Sequence, residues 1–267
     1  MFRRGSWLAI VLLLTLAPAV RAEDPPRRLL LIRQSKDNHP PETHEYMAGV
    51  RLMETLMAEF EQIETTLVQA DGPWEEAPEL LAKADGAVLF VSEGAKWISA
   101  EPRRLDAFAG LASRGGGLVV LHWGMGTKEA GPIENFVKLF GGCHGGPDRR
   151  YKVLETELRA AGEHPATVGI EPFRLKDEFY YKLKFASEPR PVPLITAEIE
   201  GEAEPVAWAW ERTDGGRSLG FSGLHFHANW ERPEYRRLVL QGVLWSLKLP
   251  VPEKGIDLPA EAASAAP

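Results

Sequence analysis

The sequence predicts an α/β fold, a doubly wound and mostly parallel sheet with appended antiparallel strands, arranged in three layers. Two observations point to it. Short apolar runs that end in polar residues alternate with stretches of helical periodicity over the first half of the chain, which is the pattern of buried parallel strands joined by right-handed crossovers. Beyond about residue 145 the period changes to the alternation of half-buried antiparallel strands.

The elements follow in order. Leu29-Leu30-Leu31-Ile32 is apolar on both faces, as a strand covered on both sides must be. The loop 34–43 leads to Tyr46, Met47, Val50, Met53, Met57 and Phe60, which recur at helical spacing, with Thr43 placed to cap the helix. A strand is expected over 64–69, a helix over 75–84, a strand over 87–91, a helix over 102–113 and a strand over 118–121. Alternating stretches at 151–158, 192–197, 206–210 and 217–221 read as antiparallel strands, and a last amphipathic helix over 233–247 starts on a proline. In a doubly wound sheet ligands bind beyond the C-terminal ends of the strands. The loops sent there are 34–44, 92–97 and 122–126.

The ends of the chain read differently. Arg3 and Arg4 precede an apolar run from Trp7 to Leu16, and Val20-Arg21-Ala22 has the form of a cleavage site, so residues 1–22 are expected to be a signal peptide and the protein to be exported to the periplasm or beyond. Polar residues follow, so no stable membrane span is expected after cleavage. One α/β domain is expected over 23–250, and the Pro- and Ala-rich segment 251–267 as a disordered tail. With one cysteine, Cys143, among 267 residues no internal disulfide exists, and the core alone must hold the fold. The net charge of −7 and the lack of a basic cluster beyond Arg149-Arg150-Tyr151-Lys152 argue against a nucleic-acid partner. A small neutral or cationic ligand suits it better, and some of the eight tryptophans would suit a sugar-sized cleft, although core packing accounts for any one of them.

The chemistry-bearing residues are histidines and carboxylates. Of seven histidines, His39, His44, His122, His225 and His227 fall in loops at the same rim. His225-Phe226-His227 would turn two imidazoles to one face if the chain there were extended, and the pair is a candidate for a divalent metal, with His122 and Asp177 or Glu178 as the candidates for its further ligands. The alternative is that the histidines act directly as acid, base or hydrogen-bond donor. Asp177-Glu178-Phe179-Tyr180 sets two acids among apolar residues, where a carboxylate with a raised pKa serves as a base or orients a histidine; an ion pair with Arg174 or Lys176 explains it equally well. Residues 115–124 have the strand-then-turn form that presents a nucleophile in hydrolase and amidotransferase folds, but the turn carries His122 and Trp123 with no Ser or Cys. Cys143 is a poor match to such an elbow, and the glycines at 115–117 precede a strand rather than follow one, so they form no phosphate loop.

Taken together, Thr43-His44-Glu45-Tyr46, the run from Gly115 to His122, His164-Pro165 with Gly169 and Phe173, Asp177-Glu178-Phe179-Tyr180, Val206-Ala207-Trp208 with Gly216-Arg217, and His225 to Trp230 resemble the ThuA-like family, named for trehalose utilisation. The family belongs to the class I glutamine amidotransferase-like superfamily. The resemblance implies a flavodoxin-like sheet without the amidotransferase cysteine and a role in carbohydrate breakdown, in some members on sugars oxidised to a 3-keto form. It suggests a lyase, isomerase or hydrolase with His122, Asp177, Glu178 and His225 as catalytic residues. His44, Trp123, Tyr180, Asn229 and Trp230 are expected to bind substrate. The competing expectation is a non-catalytic carbohydrate-binding or assembly protein that keeps the fold.

Overall fold

The structure is a computed structural model and describes residues 24–258; the expected leader lies outside the described residues. Strand β1 (Arg27–Arg33) sends Leu29 and Leu31 to one side and Leu30 and Ile32 to the other, and all four are buried. That alternation creates two cores. One packs Leu29 and Leu31 against Val50 and Met53 of α1 (Tyr46–Met57) and Val239 and Val243 of α6 (Pro233–Ser246). The other packs Leu30 and Ile32 against Leu81 of α2 (Ala77–Lys83), Ile98 of α3 (Gly94–Ala100), Phe108 of α4 (Pro102–Ser113) and Phe136 of α5 (Ile133–Phe140). The result is the expected three-layer α/β sandwich.

The other strands of the main sheet are β2 (Ile63–Gln69), β3 (Gly86–Phe90), β4 (Gly117–Leu121), β5 (Arg150–Ala160), β6 (Phe173–Tyr181), β7 (Val192–Ile199), β8 (Glu202–Glu211) and β9 (Arg217–Phe221), and three short strands, Gly126–Thr127, Gly142–Gly145 and Lys184–Phe185, form a small second sheet. They form one nine-stranded sheet in the order β2-β1-β3-β4-β9-β8-β7-β5-β6. The first five in that order are parallel, with Leu31 opposite both Leu67 and Val88, and Leu219 opposite Val119. From β9 onward each pairing is antiparallel, with Ala209 opposite Leu219 and Leu154 opposite Asp177. Although β6 is last in the sheet, Asp177 on it accepts the backbone N–H of Leu224, which follows β9. The antiparallel extension therefore folds back over the C-terminal ends of the parallel strands and closes the site.

Several elements differ from expectation for local reasons. Helix α1 stops at Met57, and Thr43 does not cap it; its hydroxyl donates to Pro40 O and its backbone bridges to Phe226. The segment expected as a loop over 92–97 already contains the start of α3. Neither α5 nor β6 was foreseen. In β6 the inward series Phe173, Leu175, Asp177, Phe179, Tyr181 alternates, but an acid in its middle hides the pattern. Within the segment expected as a loose tail, Ile256 is buried and donates its N–H to Gln241 Oε1, so the chain still packs there; residues 259–267 lie outside the described residues. No helix among the described residues is long and apolar enough to cross a membrane.

Candidate functional site

Four segments bring their polar side chains to one place. The loop after β1 supplies Asp37, His39 and His44; the residue that follows β4 is His122; the loop after β9 supplies Ser222 and His225; and β6 supplies Glu178 and Tyr180. His122 opens a short 3-10 turn, His122–Met125, with φ +44°, in the left-handed region that L-residues avoid. His44 and Leu224 are likewise left-handed, at φ +52° and +78°. Three such residues around a single point mark backbone held for the site rather than for the fold.

The imidazoles meet at close range. His44 Nε2 lies 3.0 Å from both His122 Nε2 and His225 Nδ1, and the last two are 3.2 Å apart. Glu178 Oε1 stands 3.9 Å from His122 Nε2 and 3.8 Å from His225 Nδ1. The surroundings decide which nitrogens carry protons. His122 Nδ1 is 2.7 Å from the carbonyl of Ser222, which can only accept, so Nδ1 holds the proton and Nε2 presents a lone pair. His44 Nδ1 faces Asp37 Oδ2 at 3.2 Å and the Tyr46 hydroxyl at 2.8 Å, and that hydroxyl itself donates to Asp37, so the His44 Nε2 is again a lone pair. Two lone pairs 3.0 Å apart repel unless a cation lies between them.

The electrostatics keep these rings neutral. Burial, then the neighbouring imidazoles, push His122 well below its ordinary value and His225 down to about 4; burial also lowers His44 against the pull of Asp37. Burial works against Asp37 ionising, yet hydrogen bonds from His44, Tyr46 and His39 hold it well below the usual carboxylate range. Neutral imidazoles that converge, with His122 fixed from behind by the Ser222 carbonyl and His44 by the Asp37 carboxylate, are with His225 the donor set of a divalent transition-metal site. A tetrahedral ion with N–metal bonds of about 2.0–2.1 Å separates its nitrogens by roughly 3.3 Å, so the cluster fits without rearrangement. Glu178 is pushed up to about 7 by burial and by the charge of Asp177.

A cavity of about 440 Å³ opens onto this cluster. Its buried lining is His44, Trp123, His144 and Tyr180, with Glu178 partly covered; His39, Lys128, Arg149 and Tyr151 lie toward solvent. Tyr180 is stacked between His144, at 3.9 Å between ring centroids, and His122, at 4.7 Å, and its hydroxyl reaches His122 Nε2 at 3.0 Å. His39 stacks on His44 at 3.6 Å.

His44, His122, Glu178, His225, Trp123 and Tyr180 thus share one site, whereas four other expected residues do not join it. His227 leaves the cluster because the chain turns into a 3-10 segment, His227–Glu231, instead of running extended, and His44 takes the place expected for it in the ligand set. Asp177, one residue from Glu178 along a strand, points to the opposite face. There it accepts the N–H groups of Leu224 at 2.7 Å and His225 at 3.1 Å and the Tyr235 hydroxyl at 3.1 Å, so it positions the loop that carries His225. Asn229 donates to Lys176 O at 3.1 Å, and Trp230 is buried in the core beside Gly49 of α1. Sequence reasoning passed over Asp37 and His144. Asp37 sits two residues from His39 in a loop already marked by histidines, and His144 is flanked by glycines in a run read only for Cys143. That thiol is buried, donates to Met125 O and is pushed up to about 12 by burial, so it is structural.

The fold thus presents a histidine-rich site at the C-terminal ends of its parallel strands, with His122 at the turn after β4. The chain belongs to the ThuA family, described as trehalose utilisation, which it matches over residues 30–246. Solved structures agree on the fold: a ThuA-like protein of Bacteroides uniformis is 15% identical with a TM-score of 0.64, covering 86% of this chain and 95% of that one. One from Parabacteroides merdae is 14% identical with a TM-score of 0.61, covering 83% and 90%. No curated protein sequence matches the chain.

Proposed function

We propose that this protein is an exported, metal-dependent enzyme of carbohydrate breakdown that acts on a 3-keto sugar or glycoside. One observation carries the reading: three neutral imidazoles, from His44, His122 and His225, converge within 3.0–3.2 Å beside the carboxyl of Glu178. The family's association with trehalose utilisation supports a sugar as substrate, and the signal-like N-terminus supports export.

The three histidines would hold a divalent ion, which supplies a Lewis acid for a ketone oxygen. A ketone at C3 acidifies the C2–H bond, so the enzyme needs a base at that carbon. Glu178, with its pKa pushed up to about 7, is matched to that task at neutral pH. It takes the C2 proton; the freed electron pair forms the C1–C2 double bond, the C1–O bond breaks, and the Glu178 carboxyl returns the proton to the departing oxygen. Trp123 offers a flat face to the sugar ring, Tyr180, held between His122 and His144, presents its hydroxyl beside His122 Nε2, and Asp177 holds the His225 loop in place.

The test is turnover. Full-length protein loaded with zinc, manganese or cobalt is incubated with 3-keto-trehalose and a panel of neutral and acidic 3-keto-glycosides. Release of the aglycone is expected, to be abolished by chelator and restored by the ion. No turnover of any member with any of the ions would remove this reading, and binding without turnover would favour a carbohydrate-binding role.

A further inference from the structure

The cavity is positively biased in a chain whose net charge is −7. Lys128 and Arg149 line it, against one carboxylate, and that carboxylate, Glu178, faces the imidazoles. Lys128 has Glu93 as a partner at 3.2 Å, but Arg149 is in no ion pair among the described residues. Its Nη1 donates only to Gly146 O at 3.3 Å. An arginine left with free donors at the mouth of a cavity has the fork geometry that a carboxylate or a phosphate fills with two parallel hydrogen bonds. Beside it His144, 2% exposed, lies flat on Tyr180, and its Nε2 has no hydrogen-bond partner. A polar nitrogen that is buried and unpaired is costly unless a ligand completes it. Tyr151, 55% exposed, and Trp123 add aromatic surface to the same lining.

We infer that the sugar taken by this cavity carries an anionic group, a carboxylate or a phosphate, that sits on Arg149 while the ring lies against Trp123 and Tyr151. This rests on the reading of the cavity as a sugar site and narrows its substrates to acidic sugars.

Calorimetric titration of the metal-loaded full chain with methyl glucuronide, glucose 6-phosphate and methyl glucoside tests the inference. A charged ligand is expected to bind about tenfold or more tightly than the neutral one, as a charge-assisted pair provides, and R149Q is expected to collapse that ratio toward one. Tighter binding of the uronide assigns the group as a carboxylate, and tighter binding of the phosphate ester assigns it as a phosphate. Equal affinity for all three ligands, or a preference that survives in R149Q, overturns the inference. Kinetics with the matching 3-keto sugars separate the two claims. Charge preference without turnover would sink the proposed reaction and keep the anion site; turnover of the neutral sugar without charge preference would do the reverse.

Discussion

Glu178 and His122 show how environment converts ordinary side chains into a reactive site. His122 is fully buried, and its one fixed donor bond, to the Ser222 carbonyl, turns its other nitrogen inward. Glu178 is the adjacent acid whose ionisation burial and Asp177 delay until about pH 7. A base works only when ionised, and a divalent ion beside it favours the ionised form, so the sign follows: kcat/KM should fall with decreasing pH along a limb at or below about 7 and level off above it. E178Q should lower kcat by about a hundredfold or more, the usual worth of a positioned base, flatten that limb of the profile and leave the metal content unchanged. A profile of E178Q that keeps the wild-type inflection would show that another group titrates. Asp177 was expected to compete with Glu178 for this role, and only the strand placed them on opposite faces. Neighbouring acids in a sequence do not declare their strand register when no flanking alternation is visible.

At the scale of elements, the site depends on close approach between α3 and the turn after β4. Gly94 opens α3, and a Cβ there would lie 2.1 Å from Gly124 O, so no side chain fits without moving the His122–Met125 turn. G94A should therefore destabilise the fold by about 1–3 kcal/mol, as overpacking does, seen as a lower urea midpoint, and should weaken metal binding by shifting His122. An unchanged midpoint would mean that the turn yields freely. Strand β6 has the opposite history. Its buried Asp177 breaks the apolar series, yet that acid tethers the loop after β9. Legibility followed the same division: the parallel strands β1, β3 and β4 announce themselves by apolar runs because both faces are covered, while β6 and α3 are set by tertiary contacts with distant segments.

Across the whole molecule, the sheet brings residues as distant in sequence as His44 and His225, 181 positions apart, to one point. The sequence located the rim correctly because strand order in a doubly wound sheet forces consecutive loops to one edge. It misassigned His227 because the spacing rule assumed an extended chain where the backbone turns, and the same turn carries Asn229 to the Lys176 carbonyl and Trp230 into the core. It also missed Asp37 and His144, whose parts depend on a hydrogen bond and a ring stack that no local pattern records. The ion expected at the convergence of His44, His122 and His225 would tie three strand ends together. The most direct measurement is elemental analysis of the full chain after exposure to zinc, manganese and cobalt and removal of free ions, with H122N as control, since Asn tolerates the left-handed backbone at that position. One equivalent of a divalent ion per chain, absent in H122N, is the predicted result; a wild-type chain that retains none of the three ions, or an H122N chain that retains one just as well, would contradict it.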